Sequence, residues 1–153
     1  MNRSLLGAVA ALAVLAGCSN SSNTGAQTGS GGAVVPGSQE DLVANVGDRV
    51  LFDTDRSNIR ADQRPVLERQ AAWMQQHSSV RVQVEGHADE RGTREYNLAL
   101  GQRRANSARD VLIAGGVAGG RIATISYGKD RPVALGSDEA AWAQNRRAVT
   151  VVQ

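Results

Sequence analysis

Opposite charges crowd one short stretch of this chain. Between His87 and Gly92 the sequence places Asp89, Glu90 and Arg91, and further on it carries Arg103 and Arg104. A carboxylate beside a guanidinium suits a ligand that itself bears both an ammonium and a carboxylate, because each end meets its opposite through charge-assisted hydrogen bonds. A plain anion or cation would be repelled by half of the set. The same residue types allow blander readings. Asp89 and Arg104 would serve equally well as a structural ion pair. His87 with Asp89 offers two metal ligands with no third nearby, which makes a poor site, so no metal is expected. Asp89 and Glu90 are neighbours on one loop and do not flank a bond as a glycosidase pair must. No nucleophile–base pair accompanies them. The chain is therefore read as a binding protein without catalytic residues or cofactor.

These side chains need elements to hold them. Val80, Val82 and Val84 alternate with Arg81, Gln83 and Glu85, the pattern of a half-buried strand. Leu98, Gly101, Ala105, Ala108 and Leu112 then recur at helical spacing. Thr93 is placed to cap that helix, and Glu95 suits the positive end of its macrodipole. The charged loop thus joins a strand end to a helix start, where backbone N–H groups lack partners. Arg104 lies about 16 Å along the helix from the cap, so the Asp89 loop is expected to fold back over it.

The remaining segments supply a core. Val46 to Phe52 reads as a first strand with Val50 and Phe52 on one face, followed by an Asp- and Ser-rich loop. Asp62 can cap a first long helix with Pro65 in its opening turn. Leu67, Ala71 and Met74 form the buried stripe of that helix, Trp73 flanks it, and His77-Ser78-Ser79 ends it. Gly115-Gly116 and Gly119-Gly120 mark the exit of the second helix. Arg121 to Tyr127 reads as a third strand, Ser137 to Trp142 as a capped short helix, and Arg147 to Val152 as a last strand with Val149 and Val151 inward. Arg146-Arg147 reads as a solvated or sheet-edge pair, and Trp142 and Tyr127 as packing. This order predicts an α/β fold, a two-layer sandwich with helices packed on one face of a mixed four-stranded sheet.

Composition bounds the rest. The 153 residues are 41% hydrophobic but only 3% aromatic, so aliphatic side chains must do the packing. The formal charge is +2, too balanced to argue for nucleic-acid binding. Residues 1–17 have a positive start, then an apolar run too short to span a bilayer, the anatomy of an export signal. The run ends in Leu15-Ala16-Gly17-Cys18, which looks like a bacterial lipobox. That likeness implies acylation of Cys18, the sole cysteine, and a lasting membrane anchor. Residues 18–44, rich in Ser, Gly, Asn and Thr, read as a disordered tether. Residues 45–153 read as the folded domain.

Four strings, VLFDTDRSNI, VEGHADERGTREYNLALGQRRA, ISYGKDRP and NRRAVTVV, resemble the OmpA-like domains of the peptidoglycan-associated lipoprotein family. The resemblance covers roughly Val46 to Val152, and the lipobox and tether match that family's layout. Arg94 departs from it where a proline is frequent. What the resemblance implies is non-covalent binding of peptidoglycan through the meso-diaminopimelate of its stem peptide. Carried over residue by residue, the binding set is Asp55, Asp89, Asn97 and Arg104. Alanine at Asp89 or Arg104 is expected to abolish most wall binding and spare the fold. The resemblance also implies partners TolB and possibly TolA, and an outer-membrane location with the domain facing the periplasm, as part of the Tol-Pal system that maintains the envelope and constricts the outer membrane at division. Ser19, where aspartate would mark inner-membrane retention, agrees with that location. The alternative reading is an interaction protein acting mainly through envelope partners such as TolB, with wall binding secondary.

Overall fold

The structure is a computed structural model and describes residues 33–153. The leader, Cys18 and most of the expected tether lie outside the described residues. Ser38 caps a single turn, α1 (Gln39–Asp41), and a wider turn spans Leu42–Val46. There follow β1 (Arg49–Leu51), α2 (Arg64–Gln76), β2 (Val82–His87), α3 (Arg94–Ala114), β3 (Ile122–Gly128), α4 (Glu139–Asn145) and β4 (Arg147–Val152). The strands form one mixed sheet in the order β1-β4-β2-β3. β2 and β3 run parallel with α3 as their crossover, and β4 runs antiparallel to both β1 and β2. A parallel neighbour demands such a crossover, and the crossover helix lands on one face of the sheet. The two-layer α/β sandwich with helices over a mixed sheet is the architecture that the order of elements predicts.

The core lies between that face and α2 and α3. Val50, Phe52, Leu67, Ala71, Met74, Val82, Val84, Ala105, Ala108 and Leu112 are all buried there. Thr93 caps α3 as expected, its hydroxyl accepting from Tyr96 N, and Pro65 sits in the opening turn of α2. Two glycines set how closely α3 lies on the sheet. A Cβ at Gly101 would strike the Ser126 hydroxyl and the Gly86 backbone, and one at Gly86 would strike the Gly101 carbonyl. Helix and strand backbones therefore touch at this crossing.

The local readings need several corrections. The first strand is only Arg49–Leu51, because Val46 is wound into the turn before it. The second strand starts at Val82 rather than Val80. Asp62 does not cap α2: its carboxylate is taken by Arg60 at 2.9 Å, and Gln63 stands at the cap position with its side chain turned to Leu51 N and Asp62 instead of the helix end. Trp73 is buried rather than flanking, its Nε1 donating to Asp41 at 2.9 Å. Asp138, not Ser137, caps α4, which runs on to Asn145. In β4 the parity is reversed. Ala148 and Thr150 face the helices, level with Gly86 and Val84 of β2, while Val149 and Val151 are half-buried on the other face. Apolar residues occupy both faces of β4, so alternation alone misleads. The inward Thr150 is tolerated because its hydroxyl donates to the buried Gln70 at 2.8 Å.

Residues assigned to the tether also join the body. Leu42 is fully buried in the core. Asp41 accepts from Gly37 N, Asn45 Nδ2 and Trp73 Nε1 within 2.9 Å. One apolar side chain and one satisfied carboxylate suffice to fasten a segment whose composition reads as linker.

Candidate functional site

Three segments meet beyond the C-terminal end of β2: the loop after β1, the loop from β2 to α3, and the first three turns of α3. Between them lies a cleft of about 270 Å³. Asp55, Asp89, Asn97 and Arg104, the four residues singled out from sequence, all line it, together with Thr54, Arg91 and Tyr96. The volume suits one amino-acid side chain with charged ends rather than a sugar chain.

Arg104 is the floor. It lies on the same stripe of α3 as Gly101 and Ala105, so burial of the helix buries it completely. Its Nε donates to Arg56 O at 2.8 Å, Nη1 to His87 O at 2.8 Å and Nη2 to Asp53 O at 3.0 Å. The guanidinium sits 5.2 Å from the Phe52 ring centre. These bonds answer the distance problem posed by the helix. Arg104 pins the loop after β1 over α3, while the Asp89 loop is held to the first turns of α3 through Asn97. Burial pushes the Arg104 pKa down to about 10, with the Asp89 charge acting in the opposite sense, so the group stays charged at neutral pH. Among the described residues no carboxylate pairs with it. The structural Asp89–Arg104 salt bridge is thus not formed.

Asp89 pairs elsewhere. Its carboxylate accepts from Arg91 Nη2 at 2.7 Å and from Arg146 Nη1 at 3.4 Å. Burial alone would raise its pKa, but the Arg91 and Arg146 hydrogen bonds outweigh that and hold it below the usual carboxylate range. Asp55 is exposed and has φ +56°, the only positive φ outside glycine among the described residues. Aspartate is one of the few side chains that visit this region readily. The conformation turns the carboxylate toward α3, where Tyr96 Oη donates to it at 2.9 Å. Asn97 is buried and donates to Arg91 O at 2.8 Å, so it shapes the loop that carries Asp89.

Sequence reasoning did not single out Tyr96, and it left Arg91 and Arg146 out of the binding set. Arg146 is buried, not a solvated or sheet-edge residue, and it donates to Phe52 O at 3.0 Å as well as to Asp89 and Glu139. Arg147 is buried too. The available signal was the recurrence of these arginines within the strings that carried the family likeness. Trp142 is not mere packing either: the Arg91 guanidinium lies 4.1 Å from its ring centre.

His87 holds a different role. Its ring is buried beside Tyr127 and Glu85, and among the described residues neither nitrogen has a hydrogen-bond partner. Burial, then the charges of Arg147 and Arg131, lower its pKa from 6.5 to about 4. The unfolded chain therefore takes up a proton between these values while the folded chain does not. Stability is full above pH 6.5 and is lost as pH falls toward 4, by on the order of 3 kcal/mol. The lowered pKa of Asp41, about 2, lies outside that window. Urea unfolding at pH 7 and pH 4.5 should show the loss in the native chain and little of it in His87→Phe. An equal loss in both would assign the effect to other groups.

With this geometry in view, the relatives are informative. Residues 51–146 match the OmpA family. The peptidoglycan-associated lipoprotein of Mesorhizobium japonicum is 54% identical over 95% of this chain and 89% of its own. The crystal structure of the peptidoglycan-associated lipoprotein from Burkholderia pseudomallei superposes with a TM-score of 0.69 at 41% identity, covering 74% of this chain and all of that one. The cell wall anchor of the T6SS from Pseudomonas aeruginosa gives a TM-score of 0.57 at 28% identity, over 74% of this chain and 92% of that one. The cleft is therefore built on a shared scaffold, and the chain belongs to the OmpA family, among the peptidoglycan-associated lipoproteins.

Proposed function

We propose that the cleft anchors the domain to the cell wall by binding the free end of meso-diaminopimelate in the stem peptide, without a covalent bond. The carboxylate would lie toward Arg104 and the ammonium between Asp89 and Asp55. One observation carries this reading: Arg104 is a fully buried cation on the floor of a cleft, with three carbonyl acceptors but no anionic partner among the described residues. A buried charge without a counter-ion is costly, and a ligand carboxylate would complete the set. The relatives include a peptidoglycan-associated lipoprotein and a cell wall anchor, which supports a ligand in the wall. With Cys18 acylated, the domain would tie the outer membrane to the wall from the periplasmic side.

A second reading, contact with TolB or TolA of the Tol-Pal system, is favoured by exposed apolar groups, Tyr96 on the cleft wall and Val133 and Leu135 on the loop between β3 and α4. A stable protein interface covers about 800 Å² per partner, so a protein docked there would also cover the pocket, and the two bindings would exclude each other.

The test is retention on purified sacculi, with and without free diaminopimelate as competitor, for the native chain and for Asp55→Asn. Asparagine tolerates the left-handed conformation and keeps an acceptor for Tyr96, so only charge is lost. Binding should weaken about three- to tenfold with the melting temperature unchanged. Equal retention of both proteins, insensitive to the competitor, would refute the assignment.

A further inference from the structure

Asp89 is the acceptor that the wall reading needs for the ligand's ammonium, yet its carboxylate is already occupied. Oδ1 accepts from the backbone N–H and the Nε of Arg91, each at 3.1 Å. Oδ2 accepts from Arg91 Nη2 at 2.7 Å and Arg146 Nη1 at 3.4 Å. A carboxylate offers about four lone-pair sites, so an arriving cation must displace a resident one. Arg146 is not free to leave. Its side chain is 7% exposed and is held by Phe52 O and by Glu139, the latter at 2.6 Å. The Arg91 side chain is 39% exposed. Among the described residues, apart from Asp89 it has only a 3.3 Å hydrogen bond to Thr54 Oγ1 and the face of Trp142. Its backbone N–H stays on Oδ1 when the side chain swings away, so the loop keeps its shape.

We infer that the Arg91 side chain is a built-in stopper of the cleft: it occupies Asp89 in the empty protein and yields that carboxylate to the ammonium of an arriving ligand. The inference rests on the wall reading and adds a competitor of the ligand's own charge sign inside the site. The negative charges of Glu139 and Asp55 also act on Arg91 and favour it as a cation near either. When no wall is present the stopper gives Asp89 a close cationic partner beside the longer Arg146 contact. Apparent affinity is then the intrinsic affinity reduced by the fraction of molecules in which Arg91 has moved.

The experiment titrates the full-length chain with the tripeptide L-Ala-D-Glu-meso-diaminopimelate, read by calorimetry and by indole fluorescence. Trp142 is the reporter, because the guanidinium stacked on it departs on binding, whereas Trp73 is buried against Asp41. The native chain should bind and change its emission, and Trp142→Phe should lose the change. Arg91→Ala should bind about fivefold tighter, the factor expected when a partly exposed ion pair no longer competes, and its emission should not respond. Arg91→Lys keeps the charge but not the two-pronged bond, so it should fall between. If the alanine variant does not fold, the lysine variant and the native emission decide. Native binding with equal or weaker binding by the Arg91 variants, or with silent Trp142, overturns the stopper and leaves the wall reading standing. No binding by the native chain overturns both.

Discussion

Arg104→Ala is expected to cost the chain both its ligand and much of its stability. The side chain donates to the carbonyls of Asp53, Arg56 and His87, which belong to the loop after β1 and the end of β2. Truncation strands acceptors in a site the protein has closed over, at about 1–3 kcal/mol for each that water does not reach. A loss of about 3 kcal/mol or more follows, which for a domain of this size lowers the melting temperature by roughly 10 °C or more. From sequence, Arg104 reads as a ligand residue whose removal spares the fold; the structure makes it a clasp between the loop after β1 and the end of β2 as well. Arg104→Lys preserves the charge with a single ammonium in place of the planar fork, and should recover part of the stability. Urea titration of both variants measures the first effect, and sacculus retention well below the variant's melting temperature measures the second. An unfolding midpoint for Arg104→Ala equal to that of the native chain would show that the three carbonyl bonds hold nothing together.

Gly101→Ala should destabilise the chain by about 3 kcal/mol, at the upper end of what overpacking costs. In the interior of an ordinary helix the same change gains up to about 1 kcal/mol, because alanine loses less backbone freedom on folding. Here the added methyl would meet the Ser126 hydroxyl and the backbone of Gly86. A backbone cannot rotate aside as a side chain does, so α3 must lift from β2. Ala105, Ala108 and Leu112, buried further along the same stripe, would lose contacts as it lifts. Asn97 and Arg104 ride on that helix, so the cleft would change shape and binding would fall with stability. Ala99→Gly, on the exposed side of α3, is the control and should cost only about 1 kcal/mol. Thermal unfolding of the pair is decisive: a Gly101→Ala chain as stable as the native one would mean that helix and strand do not touch where the structure puts them in contact.

How much of this was legible in the chain depends on the distance over which each feature is decided. The order of strands and helices, the Thr93 cap and the Leu67–Ala71–Met74 stripe follow from periodicity and capping within a few residues, and they stand as read. The four candidate site residues were named from a family likeness, and they do line one cleft. Their individual bonding was not legible. Asp89 and Arg104 look like partners in sequence because their charges are opposite, yet each has other partners, the loop arginine Arg91 in one case and three carbonyls in the other. Asp55 meets Tyr96 across 41 positions and Arg146 meets Asp89 across 57, separations at which local pattern carries no information. The inward face of β4 was misread for the same reason, since apolar residues on both sides leave the choice to its register with β2 and to the hydroxyl bond between Thr150 and Gln70. By itself the sequence determined which elements form and which charges the loops carry, because short-range geometry governs both. Only the tertiary structure decided which charges neutralise each other and which one is left facing the cleft, because that depends on how closely Gly101 lets α3 approach Gly86 and on which loops are thereby brought within reach of Arg104.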